Sequence, residues 1–252
     1  MEKGPEIAEE INAIFAELTA ELRLAKVAGW DKGRVVFTTS FGMEDQILTH
    51  MICSQGLDID IVTLDTGRMF EETYKVWADT ESTYKVKIKA FFPLHEDVEA
   101  MTRAQGINGF YDSVANRKEC CRIRKVVPLG RALEGGDHWI TGIRAEQSSS
   151  RSDLKYVEYL ADKSLIKSNP LLDWSKADMH EYLKANSEIP VNSLHAKGFP
   201  SIGCAPCTRA VMAGEEDRAG RWWWEDDNQE CGLHVGEDGR LVRTPKSPKE
   251  VI

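Results

Sequence analysis

No uninterrupted apolar run in this 252-residue chain approaches the roughly 20 residues that cross a bilayer, so a helical membrane span is excluded. The opening Met-Glu-Lys-Gly-Pro-Glu is no secretory leader, and the expected compartment is the cytosol. An excess of positive charge is also missing. The formal net charge is −9, which disfavours a nucleic-acid binder because phosphate backbones select basic surfaces. With no internal repeat, no low-complexity tract and no visible linker, the sequence reads as one α/β domain with a terminal extension, residues 1–213 and 214–252. Cysteine is not scarce. In a reducing compartment six of them argue for metal ligation or catalysis rather than a disulfide framework.

Their layout is the most informative feature of the chain. Cys120 and Cys121 are adjacent, Cys204 and Cys207 flank Ala-Pro, and Cys231 stands alone within Glu-Cys-Gly-Leu-His. Cys53 follows an apolar helical run and reads as a core residue. A cage of thiolates suits zinc or an iron-sulfur cluster. Neighbouring residues ligating one small tetrahedral ion would strain the backbone, whereas a cuboidal 4Fe-4S cluster offers separate iron corners, so the spacing favours the cluster. Arg117, Lys118, Arg122, Arg124 and Lys125 crowd the adjacent pair, opposed only by Glu119, and Arg218 and Arg221 sit three apart near the end. Taken alone, each such run is a solvated face. Around Cys231, Asp226, Asp227 and Glu230 hold the thiol proton on, and His234 offers to remove it.

Residues 6–28 carry apolar side chains at helical spacing and predict one opening helix. Strands are then predicted at 34–40, 58–65, 85–92 and 138–143, with helices at 43–51, 70–82 and from His95. A short strand at 164–168 and a helix capped by Ser175 and ending near Asn186 follow. This alternation predicts a mostly parallel sheet with helices on both faces, and a polar, glycine-bearing C-terminal tail expected to be mobile. Ligands of such sheets bind beyond the carboxyl ends of the strands. That rule selects Ser40, Phe41, Gly42, Met43, Glu44 and Asp45; then Leu64, Asp65, Thr66, Gly67 and Arg68; then residues 141–148 with Gly142, Arg144 and Gln147. The first set joins a strand to a helix, where free N–H groups and the helix dipole favour an anion.

Together with Lys118-Glu-Cys-Cys121, Thr141-Gly-Ile-Arg144 and Gly203-Cys-Ala-Pro-Cys207, these segments resemble the assimilatory adenylyl-sulfate (APS) reductases from about residue 34 to 236. The resemblance implies an adenine-nucleotide α-hydrolase-like fold with residues 40–45 as a modified phosphate loop. It implies that Cys120, Cys121, Cys204 and Cys207 hold a 4Fe-4S cluster, that Cys231 is the nucleophile, and that Lys125, Arg144, Arg218 and Arg221 contact the anion. The implied reaction is reduction of APS to sulfite and AMP with electrons from a dithiol protein such as thioredoxin, in sulfate assimilation and cysteine biosynthesis. Related reductases acting on 3′-phosphoadenylyl sulfate (PAPS) share the tail cysteine but lack the cluster cysteines. Rival readings are a PAPS reductase, an ATP-pyrophosphatase-like adenylating enzyme and a non-catalytic metal-binding module. The sequence leaves homo-oligomerisation open.

Overall fold

A computed structural model describes residues 4–30, 33–147 and 154–225. Six strands form one sheet: β1 Arg34–Thr39, β2 Asp60–Leu64, β3 Lys89–Phe91, β4 Gly136–Ile140, β5 Val157–Leu160 and β6 Leu165–Ser168. Their order is β3-β2-β1-β4-β6-β5, parallel except for the hairpin of β5 with β6. From β1 the chain winds outward through β2 to β3, then returns to lay β4 on the other side of β1. The carboxyl ends of β1 and β4 therefore form a topological switch point, where such sheets open a crevice.

Both faces of the sheet are covered, which is why β1 reads as a continuous apolar run. Phe37 packs into a large core with Phe15, Leu24, Ile47, Met51 and Ile140. Its neighbour Val36 enters a second core with Val62, Leu129, Ala132 and Trp139. The helices are α1 Gly4–Ala16, α2 Ala20–Ala28, α3 Met43–Ser54, α4 Glu71–Tyr84, α5 His95–Gln105, α6 Val114–Cys121, α7 Val127–Leu133 and α8 Lys176–Ala185. A π-helical turn, Arg122–Val126, joins α6 to α7 directly after the cysteine pair. None of the described helices is long and apolar enough to cross a membrane. Cys53 packs against the larger core, and burial pushes its thiol up to about 11.

Three elements differ from the sequence expectation. The single opening helix is two, because Thr19 takes an extended conformation and its hydroxyl caps the N-terminus of α2. The strand expected over 85–92 shrinks to Lys89–Phe91, since Lys85 adopts φ 56° to end α4. The strand β5 was not expected; it pairs edge-on with β6 and packs under α1.

Arg23 fastens the N-terminal helices to the rest. It is buried, donates to the carbonyls of Phe15 and Pro170 at 2.8 and 2.7 Å, and pairs with Asp173 at 2.6 Å. An Arg23→Met substitution keeps the apolar stem but orphans both carbonyls, and we expect a stability loss of about 2–4 kcal/mol by urea unfolding. An unchanged unfolding midpoint would show that the helices dock without this anchor.

Candidate active site

The crevice at the switch point has a volume of about 290 Å³, at the lower end of the range of roughly 300–1,000 Å³ typical of small-ligand sites. Its floor is the loop after β1. Phe41 stands at φ 61° with its ring buried against Trp77, so the side chain serves the core while the chain turns sharply into α3. Gly42 is the N-cap of α3 and has no side-chain cap bond, so the helix opens its amide end toward the crevice. The loops after β1 and β4 meet closely. A Cβ on Gly142 would lie 2.3 Å from an Asp45 carboxylate oxygen, so only glycine fits there.

Asp45 holds the floor together by accepting from the Ser40 amide at 2.6 Å and the Ser40 hydroxyl at 2.7 Å. Burial pushes its carboxyl up to about 6, outweighing those bonds, and neighbouring Glu44 pushes the same way. On the opposite wall Arg144, 3% exposed, donates to Glu44 at 3.0 Å and to Glu146 at 3.0 Å, while Gln147 donates to the same Glu44 oxygen at 2.8 Å. Arg144 thus stands in the crevice already paired. Lys125, Arg218 and Arg221 also line it, and Arg221 carries a buried Nε–H that finds no hydrogen-bond partner among the described residues.

Of the expected substrate contacts, Ser40, Gly42, Met43, Glu44, Asp45, Leu64, Thr66, Lys125, Gly142, Arg144, Gln147, Arg218 and Arg221 line the crevice. Four stand elsewhere. Phe41 is in the core. Asp65 accepts from the Gly67 amide at 2.7 Å and the Tyr74 hydroxyl at 2.9 Å, shaping the turn in which Gly67 takes φ 68°. Arg68 donates to the carbonyl of Ile107, lies 5.0 Å from the Phe110 ring centroid and faces the cysteines instead. Sequence reasoning missed Thr38, Trp139, Lys176, Ser201, Asp217 and His195 on the crevice wall. His195 donates Nδ1–H to the Phe199 carbonyl at 2.8 Å, so its buried, unpartnered Nε2 is an acceptor, and burial holds the ring neutral by lowering its pKa. Thr38 and Trp139 come from β1 and β4, Lys176 from the start of α8 and the rest from the segment after it, so no single period marks them.

Across one wall lies a second, small cavity of about 20 Å³, lined by Cys120, Cys121, Cys204 and Cys207. None of the four is in a disulfide. Lys125 and Cys204 line both cavities, so the two sites share that wall. The Cys204 thiol donates to the Thr66 hydroxyl at 3.3 Å, and the Ala205 amide donates to the Arg68 carbonyl at 2.8 Å. Burial raises the Cys120 thiol, partly offset by Arg124, and burial with Cys204 pushes Cys207 up to about 12. Among the described residues no group of three or more His, Cys, Asp or Glu is arranged to hold a metal ion. The surroundings nevertheless fit an anionic thiolate-bound group. Arg68, Arg117, Arg124 and Lys125 line the cavity, and among the described residues no carboxylate does. Two buried donors beside the thiols, Arg124 Nε and Trp222 Nε1, have no partner among the described residues. Cys231 lies outside the described residues, as does Ser148.

The sequence matches the family model described as phosphoadenosine phosphosulfate reductase domain over residues 34–210. A Sinorhizobium fredii protein named adenosine 5′-phosphosulfate reductase is 50% identical over 231 residues, 91% of each chain. One of the same name from Neisseria meningitidis serogroup A is 47% identical over 92% of this chain and 96% of its own. The crystal structure of phosphoadenylyl-sulfate reductase from Candida auris, a phosphate complex, aligns with a TM-score of 0.69 at 25% identity, covering 82% of this chain and 97% of that one. Yeast FAD synthetase shares the fold, with a TM-score of 0.51 at 16% identity over 82% of this chain and 75% of its own.

The folded state binds the Asp45 proton more tightly than the unfolded chain. The carboxyl's contribution is therefore complete below about 3.8 and is lost as pH rises through about 6. Asp45→Asn keeps an acceptor for Ser40 without the charge. Unfolding free energies measured from pH 4 to 7 are expected to diverge, the variant gaining on the wild type as pH rises; parallel curves would show that Asp45 titrates normally.

Proposed function

The chain belongs to the phosphoadenosine phosphosulfate reductase domain family, and from that premise we propose that it reduces APS to sulfite and AMP with a dithiol protein such as thioredoxin as reductant. The observation that carries this reading is a nucleotide-sized crevice sharing a wall with four clustered thiols, in a chain about half identical to proteins named adenosine 5′-phosphosulfate reductase.

The nucleotide phosphate sits at the amide end of α3, where Ser40, Gly42 and Met43 line the floor. Asp45 keeps that floor rigid through its two hydrogen bonds from Ser40. Lys125, Arg218 and Arg221 face the sulfate end, and Arg144 joins them as Glu44 and Glu146 yield part of its guanidinium. The Cys231 thiolate attacks the sulfate sulfur; the sulfur–oxygen bond to the phosphate breaks, and AMP leaves with that electron pair. The product is a cysteine S-sulfonate. A partner thiolate then attacks the Cys231 sulfur and sulfite leaves with the sulfur–sulfur bonding pair. The partner's second thiol resolves the mixed disulfide, so the dithiol supplies both electrons. Cations fixed near the transferred group stabilise the charge that grows on AMP.

Cys120, Cys121, Cys204 and Cys207 would hold a 4Fe-4S cluster. When bound it supplies fixed charge and rigidity beside Lys125; the thiol route needs no electron from it. Anaerobically purified protein is expected to be brown, with iron and acid-labile sulfide. Colourless, fully active protein carrying stoichiometric zinc would overturn the assignment.

Mixing enzyme with APS and no reductant is expected to give one burst of AMP and a protein heavier by one sulfonate, on the peptide containing Cys231. Reduced thioredoxin should discharge it as sulfite. Cys231→Ser should bind AMP normally and form no adduct. Normal turnover by Cys231→Ser would refute the mechanism, and an equal burst with PAPS would remove the selectivity for APS.

A further inference from the structure

The turn after α8 is built to hold one imidazole still. Buried Asn192 anchors it: Nδ2 donates to the Thr73 hydroxyl of α4 at 3.1 Å, and Oδ1 accepts from the Leu194 amide at 3.0 Å. The His195 amide donates to the Asn192 carbonyl at 3.0 Å, and Gly198, at φ 84°, turns the chain back so that the Phe199 amide donates to the Leu194 carbonyl at 3.1 Å. This frame sets the Phe199 carbonyl 2.8 Å from His195 Nδ1. A carbonyl only accepts, so Nδ1 carries the ring proton and Nε2 is left with its lone pair. Burial keeps the ring neutral against the pull of the Phe199 carbonyl and Glu44.

Nε2 is buried and has no hydrogen-bond partner among the described residues, an arrangement that costs stability unless something else supplies a donor. His195 lines the crevice and Phe199 does not, so the ring edge that bears Nδ1 is turned away from the crevice and the Nε2 edge is left on its side. An adenylyl group offers such an acceptor three kinds of donor: the 2′-hydroxyl, the 3′-hydroxyl and the adenine amino group. Position chooses among them. Glu44, whose charge acts on His195, stands in the first turn of α3, and its Oε2 lies 3.7 Å from where a Cβ on Gly42 would be. His195 therefore faces the phosphate end of the crevice, and the group bonded to that phosphate is the ribose. We propose that His195 is the ribose-reading residue of this site: its Nε2 accepts a hydrogen bond from one of the two ribose hydroxyls and sets the register of the nucleotide in the crevice. The inference rests on the reading of the crevice as an adenylyl site. It gives the strained frame of the turn a purpose, since a lone pair selects a donor only when the ring cannot rotate away.

The test is a cycle of protein and ligand deletions on the full-length protein as purified anaerobically, read as equilibrium affinity for AMP, 2′-deoxy-AMP, 3′-deoxy-AMP and the purine ribonucleotide that lacks the amino group. His195→Asn keeps an amide N–H for the Phe199 carbonyl and removes Nε2. Wild type is expected to bind one of the two deoxynucleotides about five- to tenfold more weakly than AMP, the effect of one hydrogen bond. His195→Asn should bind AMP more weakly by the same factor and no longer distinguish it from that deoxynucleotide, while its preference for the amino group stays at the wild-type value. A second measurement needs no variant: the ¹⁵N resonance of His195 Nε2 in wild type should move upfield on adding AMP and stay in place with the discriminated deoxynucleotide. Unchanged AMP affinity in His195→Asn, a ribose preference that survives the substitution, loss of the amino-group preference instead, or an Nε2 resonance that ignores AMP would each overturn the assignment. Failure of the underlying reading is separate: it shows as wild-type protein that binds no AMP at all.

Discussion

The hydrogen bond from Arg124 Nη1 to the carbonyl of Thr66, 2.6 Å long and buried, is the joint on which both cavities depend. Arg124 lies in the π-helical turn after Cys120 and Cys121, while Thr66 lies in the loop after β2 that lines the crevice. The Thr66 hydroxyl also accepts from Cys204, so one residue touches the elements that carry both cysteine pairs. A π turn adds a residue to the helical circuit and redirects the side chains that follow, which lets Arg124 turn inward and Lys125 reach both cavities. The proposed chemistry needs this shared wall. A charged group among the thiols can influence an anion in the crevice only if little water lies between them.

The same economy governs the charges. The chain carries nine more formal negative charges than positive ones, yet the region between the two cavities is a nest of cations. Arg117 is neutralised by Glu225 and Arg144 by Glu44 and Glu146, so these cations are stored in pairs. Pairing avoids the cost of burying a bare charge. Asp45 answers the same problem differently. Burial raises its pKa to about 6, opposed by two hydrogen bonds from Ser40 that favour the charged form.

Much of this was legible in the sequence, for definite physical reasons. Strands buried on both faces announce themselves as apolar runs, so β1, β2 and β4 were located, along with the strand ends that build the crevice. Side-chain direction in loops was not legible. Arg68 and Arg144 look alike beside glycines at strand ends, but Arg68 turns to the cysteines and Arg144 to the crevice. Phe41 falls in the same motif as Gly42, yet a left-handed turn sends its ring into the core. The basic run around the cysteine pair reads as a solvated face because its partners are distant in sequence. Glu225 lies 108 positions from Arg117, and the Thr66 carbonyl 58 from Arg124.

These long-range pairs explain why a cysteine-rich helix, a proline-containing Cys-x-x-Cys turn and a tryptophan-rich segment occur in one small fold. Each alone is locally unfavourable: thiols raised by burial, a π turn, a tryptophan at positive φ. Together they satisfy one another. Trp222 covers the thiols, the Cys207 carbonyl holds the Trp222 amide, and Arg117 links α6 to Glu225. The sheet and its two apolar cores stand behind the crevice as a scaffold, and the costly contacts gather between the thiols and the segment 221–225.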